Sequence, residues 1–416
     1  MNAVKLLVVI VLVLAISQLN EWDVLERVFF VLSALLVVAL LWSRLSLHGL
    51  ALSRETRTDR AQVGERLVER LRVSNVSRLP KLWVEVIDQS TLPGHHLSRV
   101  VHLGPHDVAG WRTETACTRR GRFQLGPLVL RSGDPFGLFM MERPIPHVQE
   151  VLVYPATVDV SAFRLPGGDL PGGNAAQRRT PFVTPNAASV RQYVPGDSFN
   201  RIAWSATARS GHLMVKEFEL DPSADVWIVL DLEMAGHVRA PEWRLDGGAS
   251  FIDPPWLGSS EEYAVTIAAS VARQFLDENR MVGLLTNGRH RLRLPADRGQ
   301  RQLVKILESL AAAQADGVEN LAETLTVEAT SFARDSTVVV VTPSTDQRWA
   351  RVLGDLTARH LGIVAIVVEP STFGGRESSL MVVSDLTAMA IPTYLVKNGD
   401  DIGHALATHV GRRAIA

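Results

Sequence analysis

Two nearly uninterrupted apolar runs lie in the first fifty residues, and they constrain the fold of this chain more than any other feature. They cover residues 4–19 and 28–42 and are joined by the short polar link NEWDVLER. A helix needs about 20 apolar residues to cross the hydrocarbon core of a bilayer, and each run reaches this length with its flanking residues. Neither run has the polar face of a helix on a soluble protein. We therefore predict a transmembrane helical hairpin over residues 1–50.

The charges around the two runs predict the orientation of the hairpin. Lys5 lies at the very start of the first run and arginines follow the second, whereas the link carries three carboxylates against one arginine. The positive-inside rule then gives two spans in the cell (inner) membrane with both ends in the cytoplasm. The alternative is a signal peptide cleaved near AIS at residues 15–17, after which the second run would still carry the chain inward. Both alternatives place residues 45–416 in the cytoplasm. A membrane-surface contact is left open for three arginines: Arg54, Arg57 and Arg60.

Composition limits the class of partner. The chain has 43 basic and 44 acidic residues and a net charge of -1, so it lacks the basic excess of a general nucleic-acid binder. Cys117 is the only cysteine, which excludes an internal disulfide and removes any need for an oxidising compartment. Its surroundings read as a strand, and we predict a buried structural thiol.

Residues 51–160 are predicted to form a β-rich sandwich domain. The segments RLVERLRVSN and KLWVEVIDQS alternate apolar and polar residues, and turn signals recur about every ten residues, which is typical of an antiparallel sandwich of immunoglobulin type. The motif GDPFGLF predicts a tight turn in which Asp134 bonds back to the backbone and Gly137 takes a positive φ. Phe136 and Phe139 are expected to pack this turn against the sandwich.

Residues 161–222 combine a Gly/Pro-rich linker with a distinctive segment, RQYVPGDSFNRIAWSATARSGHLMVKEFE, at 191–219. The linker motif PGGDLPGG lacks the Gly-Lys-Ser/Thr ending of a phosphate-binding loop. In the distinctive segment we predict a short helix capped by Asp197 or Ser198 and ended by Gly211. The segment is interpreted as a structural lock, a protein-docking surface or a catalytic centre. Its candidate functional residues are Asp197, Arg201, Trp204, Arg209, Lys216 and Glu219.

Residues 223–416 alternate apolar strands with amphipathic helices, which predicts a mostly parallel, doubly wound α/β sheet. The segment HRLRLPA is expected to pair antiparallel to the strand before it. Ligands of such sheets bind outside the carboxyl ends of the strands. In this chain those ends are DLEMAG and TPSTDQ.

This α/β pattern resembles the von Willebrand factor A domain, whose metal site uses Asp-x-Ser-x-Ser after the first strand and a later Asp. Such oxygen ligands suit Mg²⁺. Here Asp231 matches the first Asp, Glu233 and Ala235 stand at the serine positions, and Thr342 stands where the later Asp is expected. We predict no cofactor, with Mg²⁺ on the degenerate set Asp231, Glu233 and Thr342 as the alternative.

Three stretches, RRGRFQLGPLVLRSGDPFGLF, VLVYP and the 191–219 segment, resemble the bacterial membrane-anchored family called domain of unknown function fifty-eight. The resemblance covers most of the chain. Members are similar to proteins encoded beside MoxR-type AAA+ ATPases, often with transglutaminase-like membrane proteins. The resemblance implies a non-enzymatic adaptor or scaffold that helps such an ATPase to assemble or remodel protein complexes through protein–protein interaction.

Two other classes of function stay open. A metal-ion-dependent protein-binding module would use Asp231, and a hydrolase would act through the 191–219 segment. The hydrolase hypothesis is the weaker one, because no nucleophilic pair accompanies the carboxylates of this segment. Its histidine, His212, is expected in a solvated turn just after the helix end.

Overall fold

The computed structural model describes residues 2–19, 23–165, 187–194, 202–218, 225–239, 257–333 and 336–410. The chain divides into two compact units. The first consists chiefly of residues 1–156 and the second chiefly of residues 157–416. Each unit has a hydrophobic core of its own.

Both apolar runs are helical. Helix α1 spans Asn2–Leu19 and helix α2 spans Asp23–Ser46, and the two pack against each other. Among the described residues, α2 is the one helix that is long and apolar enough to cross a membrane, while α1 is shorter. This supports membrane anchoring near the amino terminus.

The middle region is β-rich, as predicted. Its strands are β1 (Leu50–Thr56), β2 (Arg60–Gln62), β3 (Arg66–Asn75), β4 (Lys81–Asp88), β5 (Ser98–Leu103), β6 (Val108–Ala116), β7 (Gly121–Leu125), β8 (Leu128–Gly133), β9 (Met140–Ile145) and β10 (Gln149–Tyr154). They form three sheets in the orders β1-β3-β6, β5-β4-β8-β9 and β2-β10-β7. Leu71 and Val73 of the first sheet share a core with Val84 and Leu130 of the second. The alternation of apolar and polar residues along these strands produces this core.

The carboxyl end of α2 is built into this core. Leu47 and Leu50, which follow the helix, are buried in the cluster formed by the sheets. The buried Lys81 donates from Nζ to the carbonyl oxygen of Leu45 over 2.7 Å, and Arg143 donates to the carbonyl oxygens of Leu47 and Leu50 over 3.0 and 2.5 Å. Burial lowers the pKa of Lys81. These cations bond carbonyl oxygens at the end of α2, in the turn after it and at the start of β1.

Strand β1 brings Arg54 into the interior, which removes it from the possible membrane contacts. Period-two alternation places Arg54 on the inward face together with Leu50. Its guanidinium group forms ion pairs with Asp88 and Glu69, and His95 Nε2 lies 2.8 Å from the same Asp88 oxygen. All four side chains are essentially fully buried.

The turn between β8 and β9 confirms one expectation and corrects another. Asp134 accepts hydrogen bonds from the backbone N–H groups of Phe136 and Phe139 over 2.8 and 2.5 Å, and Gly137 has a φ of 67°. The predicted role of Phe136 is wrong, since its side chain is 55% exposed instead of packing against the sandwich. The hydrogen bonds of Asp134 already fix the turn, so its aromatic tip is free to point outward.

The remaining elements are β11 (Ala187–Gln192), α3 (Trp204–Ser210), β12 (Met214–Phe218), β13 (Val226–Leu230), α4 (Ser260–Asp277), β14 (Val282–Thr286), β15 (Leu292–Asp297), α5 (Gln300–Ala312), α6 (Leu321–Glu328), β16 (Thr337–Thr342), α7 (Arg348–Ala358), β17 (Gly362–Val368), α8 (Leu380–Ala388), β18 (Thr393–Val396) and α9 (Ile402–Ala405). Strands β11 and β12 pair with each other. The six-stranded sheet has the order β15-β14-β13-β16-β17-β18. All its neighbouring pairs are parallel except β14 with β15, which pair antiparallel as predicted.

The central strands of this sheet are buried on both faces. Every residue of β13 and β16 is buried, as their uninterrupted apolar sequences VWIVL and TVVVVT require. Trp227 and Val229 pack in a core cluster with side chains of α6, α7 and α8, including Leu325, Trp349 and Val382. Helix α4 packs along β13 and its neighbours.

Helix α3 is shorter than the sequence suggested. It begins at Trp204 after Ala203, whose side chain cannot cap it, so the predicted start near Asp197 or Ser198 is wrong for this helix. Its predicted end is confirmed, because Gly211 adopts a φ of 71° and its N–H bonds to the carbonyl oxygen of Thr207.

Candidate binding site

Three buried polar side chains meet at the carboxyl edge of the six-stranded sheet. Asp231 follows β13, Asn287 follows β14, and Thr342 ends β16. The three strands are parallel neighbours, so their carboxyl ends lie side by side and bring these side chains together. Asp231 and Thr342 were candidates from the sequence.

Asp231 is held by neutral hydrogen-bond donors. Its Oδ1 accepts from Asn287 Nδ2 over 2.8 Å and from the Glu233 N–H over 3.1 Å, and its Oδ2 accepts from Thr342 Oγ1 over 2.6 Å. Asn287 Oδ1 in turn accepts from the N–H of Leu232 over 2.5 Å. These donors compensate the loss of hydration of a buried carboxylate. The network fixes the loop after β13 to the two neighbouring strands.

This set of donors does not fit a magnesium ion of the von Willebrand type. Such an ion needs several oxygens directed at one point. Here Asn287 directs its amide N–H group at Asp231, Thr342 directs its hydroxyl proton there, and Ala235 contributes no oxygen. Both oxygens of Asp231 are already engaged by these hydrogen bonds.

A polar cavity of about 590 Å³ opens beside this network. Glu233, Asp346 and Glu377 line it together with Arg348 and Arg376. Arg348 Nε donates to Asp346 over 2.7 Å, so one of these carboxylates already has a cation. The cavity therefore presents both carboxylates and guanidinium groups to a ligand.

Glu233 lies close to two other carboxylates at the cavity. Burial raises its pKa above the ordinary value, and the nearby negative charges of Asp231 and Asp346 raise it further, against a smaller opposing effect of Arg348. A cation brought by a ligand would relieve this repulsion.

Two exposed apolar side chains stand beside Glu233. The Met234 N–H donates to the carbonyl oxygen of Gly317 over 2.9 Å, which brings the loop after β13 against the loop before α6. Met234 is 65% exposed and Val318 is 90% exposed. Exposed apolar groups next to a polar cavity are typical of a surface that binds another protein.

Gly317 makes this close approach possible. A Cβ atom at this position would overlap the carbonyl oxygen of Asn287 and lie 2.9 Å from that of Leu232. The sequence gives no local signal of this requirement, since it depends on residues from two other loops.

A serine and a histidine also lie together near the edge, but their geometry is structural. His237 Nε2 lies 2.9 Å from the carbonyl oxygen of Asp231, so it must donate there, and Nδ1 then accepts from Ser260 Oγ over 3.2 Å. Ser260 is fully buried, and its Oγ accepts from the Val238 N–H over 2.8 Å. A substrate has no access to this hydroxyl.

The 191–219 candidates are only partly described. Asp197, Arg201 and Glu219 lie outside the described residues, and Lys216 belongs to β12 with its side chain outside the described part. Trp204 and Arg209 are exposed on α3, and neither lines the cavity. The structure thus joins Asp231, Glu233 and Thr342 into one site and leaves Trp204 and Arg209 on a separate surface.

Sequence reasoning missed Asn287, Asp346 and Glu377. Asn287 stands at the carboxyl end of a predicted strand. Its place beside Asp231 could have been predicted only if the order of the strands in the sheet had been known. Asp346 lies within the quoted end TPSTDQ, but nothing distinguished it there. Glu377 reaches the cavity from a connection after β17, which has no recognisable pattern.

A second group of potential metal ligands lies in the first unit. Glu69, Asp88 and His95 bring three ligand atoms within 4.8 Å of one another. Arg54 already places its positive charge on both carboxylates. Burial raises the pKa of Glu69, whereas for Asp88 the hydrogen bond from His95 and the charge of Arg54 outweigh burial and lower the pKa. The guanidinium group occupies the place of a metal cation, so this set does not fit one.

Comparison with known sequences supports the family resemblance. The family described as "Protein of unknown function DUF58" matches residues 189–380. An uncharacterized protein of Mycobacterium tuberculosis is 25% identical over 228 residues, which are 53% of this chain and 67% of that protein. The uncharacterized protein YeaD of Bacillus subtilis is 26% identical over 210 residues, which are 50% of this chain and 46% of YeaD.

Solved structures give more distant similarities. The conserved hypothetical protein BatB from Bacteroides thetaiotaomicron is 12% identical and covers 46% of this chain and 100% of its own, with a TM-score of 0.30. A CARDB domain from Pyrococcus furiosus, solved in complex with di-metal ions, is 14% identical and covers 25% of this chain and 91% of its own, with a TM-score of 0.20. The chain is thus similar over residues 189–380 to the family described as Protein of unknown function DUF58.

Proposed function

We propose that this protein is a membrane-tethered, non-enzymatic adaptor that binds a partner protein at the carboxyl edge of its six-stranded sheet. The observation that carries the proposal is the carboxylate-lined cavity flanked by the exposed side chains of Met234 and Val318. A MoxR-type AAA+ ATPase is the partner that the family resemblance implies, with a transglutaminase-like membrane protein as a further component. The task would be the assembly or remodelling of protein complexes.

The serine–histidine pair at the edge is not arranged for catalysis. Nucleophilic catalysis needs an accessible nucleophile beside its base, and the hydroxyl of Ser260 is buried and engaged. Glu233 has carboxylates as neighbours, which suits it to pair with a cation of a partner. We expect a lysine or arginine of the partner to enter the cavity while apolar side chains cover Met234 and Val318.

The arrangement of Asp231 supports a von Willebrand A-like interpretation in which the ion has been replaced. Asp231 stands at the expected edge of a parallel sheet, but Asn287 and Thr342 supply hydrogen bonds where an ion would supply charge. Partner binding is therefore proposed to be independent of Mg²⁺. Purified protein should show the same melting temperature with excess Mg²⁺ and with a chelator, and a reproducible rise with Mg²⁺ would overturn this point.

The two apolar helices near the amino terminus support the proposal that the protein is anchored in the membrane. Helix α2 has the length and composition of a membrane span, and α1 packs beside it. We propose that both helices cross the inner membrane and that both soluble units face the cytoplasm, which is the compartment that supplies ATP to an AAA+ ATPase.

Affinity purification from native membranes in mild detergent tests the adaptor function. Glu233→Lys reverses the charge in the cavity, and Asp355→Lys makes the same change at an exposed position on α7 outside the cavity. We expect a stoichiometric AAA+ ATPase with the wild type and with Asp355→Lys, and its loss with Glu233→Lys. Purification is done with ATP and with a slowly hydrolysed analogue, and co-purified proteins are identified by mass spectrometry.

The other outcomes are equally informative. Loss of the ATPase in both lysine variants would mean that overall charge, not the cavity, controls binding. Retention in Glu233→Lys but loss in a folded Trp204→Ala variant would move the docking surface to α3. Absence of an ATPase from every sample would overturn the proposed partner.

A further inference from the structure

Three connections of the first unit lie at the end of the sandwich that α2 enters. They are residues 76–80 between β3 and β4, 104–107 between β5 and β6, and 134–139 between β8 and β9. We call them the α2-proximal connections. The strand register places them together: β1 begins beside the end of β3, and β4 begins beside the end of β5. Ser132 Oγ donates to the carbonyl oxygen of Trp83 over 2.6 Å, which ties the end of β8 to the beginning of β4.

The tips of these connections expose large apolar side chains. Val76 is 64% exposed, Leu79 is 46% exposed and Phe136 is 55% exposed. Val108 and Met140, which begin the strands after two of the connections, are exposed as well. A cluster of exposed apolar tips at one end of a domain indicates a surface that is covered in the functional state.

The same end is fixed to the carboxyl end of the apolar helix. Trp42 of α2 lines a small cavity of about 60 Å³ together with Leu79, Pro80 and Lys81. The hydrogen bond from Lys81 Nζ to the carbonyl oxygen of Leu45 holds this contact. Leu79 therefore lies at the level of Trp42, and tryptophan at the end of a span is typical of the membrane–water interface.

We propose that the α2-proximal connections contact the lipid bilayer and insert Val76, Leu79 and Phe136 into its interfacial region. Continuity with α2 identifies the bilayer as the occupant of this surface, because the helix that crosses the membrane ends beside these tips. Arg78 is exposed next to Leu79, so its guanidinium group is placed to meet lipid phosphates. Apolar tips flanked by a cation are the pattern of an interfacial membrane contact.

The proposed membrane contact differs from the one considered in the sequence analysis, which involved only basic residues. Arg54 is buried, Arg57 follows the far end of β1, and Arg60 begins β2 and pairs with Glu308 over 3.1 Å. Since β1 leads away from α2 for seven residues, Arg57 lies about 20 Å along the strand from the helix end. The contact is therefore made mainly by apolar side chains, with Arg78 as its cation.

Site-specific fluorescence on the full-length protein in nanodiscs tests this contact. Leu79→Cys and Phe136→Cys are each labelled with an environment-sensitive dye. The native Cys117 is buried, and burial raises the pKa of its thiol to about 11, so it stays unlabelled near neutral pH. Val148→Cys is the matched control, an exposed apolar position in the connection at the opposite end of β9. Val37→Cys on α2 reports whether the helix itself is in the bilayer.

We expect dye at Leu79 and Phe136 to show blue-shifted emission, loss of quenching by aqueous iodide and strong quenching by lipids with a spin label near the headgroup. Dye at Val148 should show the reverse. If Val37 is in lipid while Leu79 and Phe136 behave like Val148, the proposal is wrong although the anchor is intact. Protection from iodide without quenching by lipid would show that protein covers the surface, which also overturns it.

Discussion

Glu233 is the residue on which the proposed binding chemistry depends most. It is half-buried between Asp231 and Asp346, and its pKa is raised by burial and then by these two carboxylates. Unfolding moves Glu233 into water, where its pKa returns to the ordinary value. The folded protein therefore holds this proton to a higher pH than the unfolded chain does. Its contribution to stability falls as pH rises from the ordinary pKa through the raised one.

Glu233→Gln should for this reason stabilise the protein near neutral pH. Glutamine keeps the shape of the side chain but has no charge to place beside Asp231. At about pH 4, Glu233 is largely protonated in both states, and the advantage of the variant should largely disappear. Chemical unfolding in detergent at both pH values measures the difference, with Asp355→Asn as the exposed control. A gain of equal size at both pH values would contradict the electrostatic explanation.

At the scale of single residues, the sequence located Asp231 and Thr342 because Asp231 follows, and Thr342 ends, a recognisable buried strand. Asn287 also ends a strand, but its role depends on β14 lying next to β13, which one sequence does not reveal. For Phe136, the local sequence pattern led to a wrong prediction. Its aromatic side chain predicted a packed position, and only the three-dimensional context places it on the surface.

At the scale of elements, continuous apolar runs made the strands of the α/β sheet visible, whereas β1 was missed. Its sequence LALSRET contains Arg54 at an inward position, and local pattern alone marks a charged residue as exposed. Asp88 and Glu69, which balance this charge, belong to β4 and β3. The burial of Arg54 is therefore a property of three strands together.

Replacing Arg54 tests this arrangement. Arg54→Ala leaves Asp88 and Glu69 buried without their cation, and loss of one partner of a buried ion pair costs about 3–5 kcal/mol of unfolding free energy. Arg57→Ala removes an exposed arginine beyond the same strand and should change stability by less than about 0.5 kcal/mol. Equilibrium unfolding of both variants measures the contrast. Equal losses of stability would mean that Asp88 and Glu69 do not neutralise the charge of Arg54.

The junction between the loop after β13 and the loop before α6 depends on a glycine. Gly317→Ala forces a methyl group against the carbonyl oxygens of Asn287 and Leu232, and such overpacking costs about 1–3 kcal/mol. Gly236→Ala is the matched control, since a Cβ atom there meets Pro343 at an ordinary 3.5 Å. We expect Gly317→Ala to lower the melting temperature and to weaken partner capture. Gly236 itself lines the cavity, so Gly236→Ala is the control for stability alone and should leave the melting temperature unchanged. A tolerated Gly317→Ala would show that the two loops separate easily.

At the scale of the whole molecule, the predicted orientation has a direct test because the buried thiol of Cys117 does not react with labelling reagents. Val327→Cys places a thiol at an exposed position on α6. If the soluble units face the cytoplasm, a membrane-impermeant maleimide should label this thiol only after cells are permeabilised. Labelling of intact spheroplasts would place the units on the other side of the membrane and would exclude a cytoplasmic ATPase as partner.

The way α2 ends has a consequence for release from the membrane. A protease that cut after Ser46 would remove the carbonyl oxygen of Leu45, which accepts from the buried Lys81. Leu47, whose side chain is buried in the core of the sandwich and whose carbonyl oxygen accepts from Arg143, would become a new terminus. Shedding would therefore destabilise the very domain that it set free. A stable soluble fragment has to retain the last turn of the helix, and the tether is in this sense part of the fold.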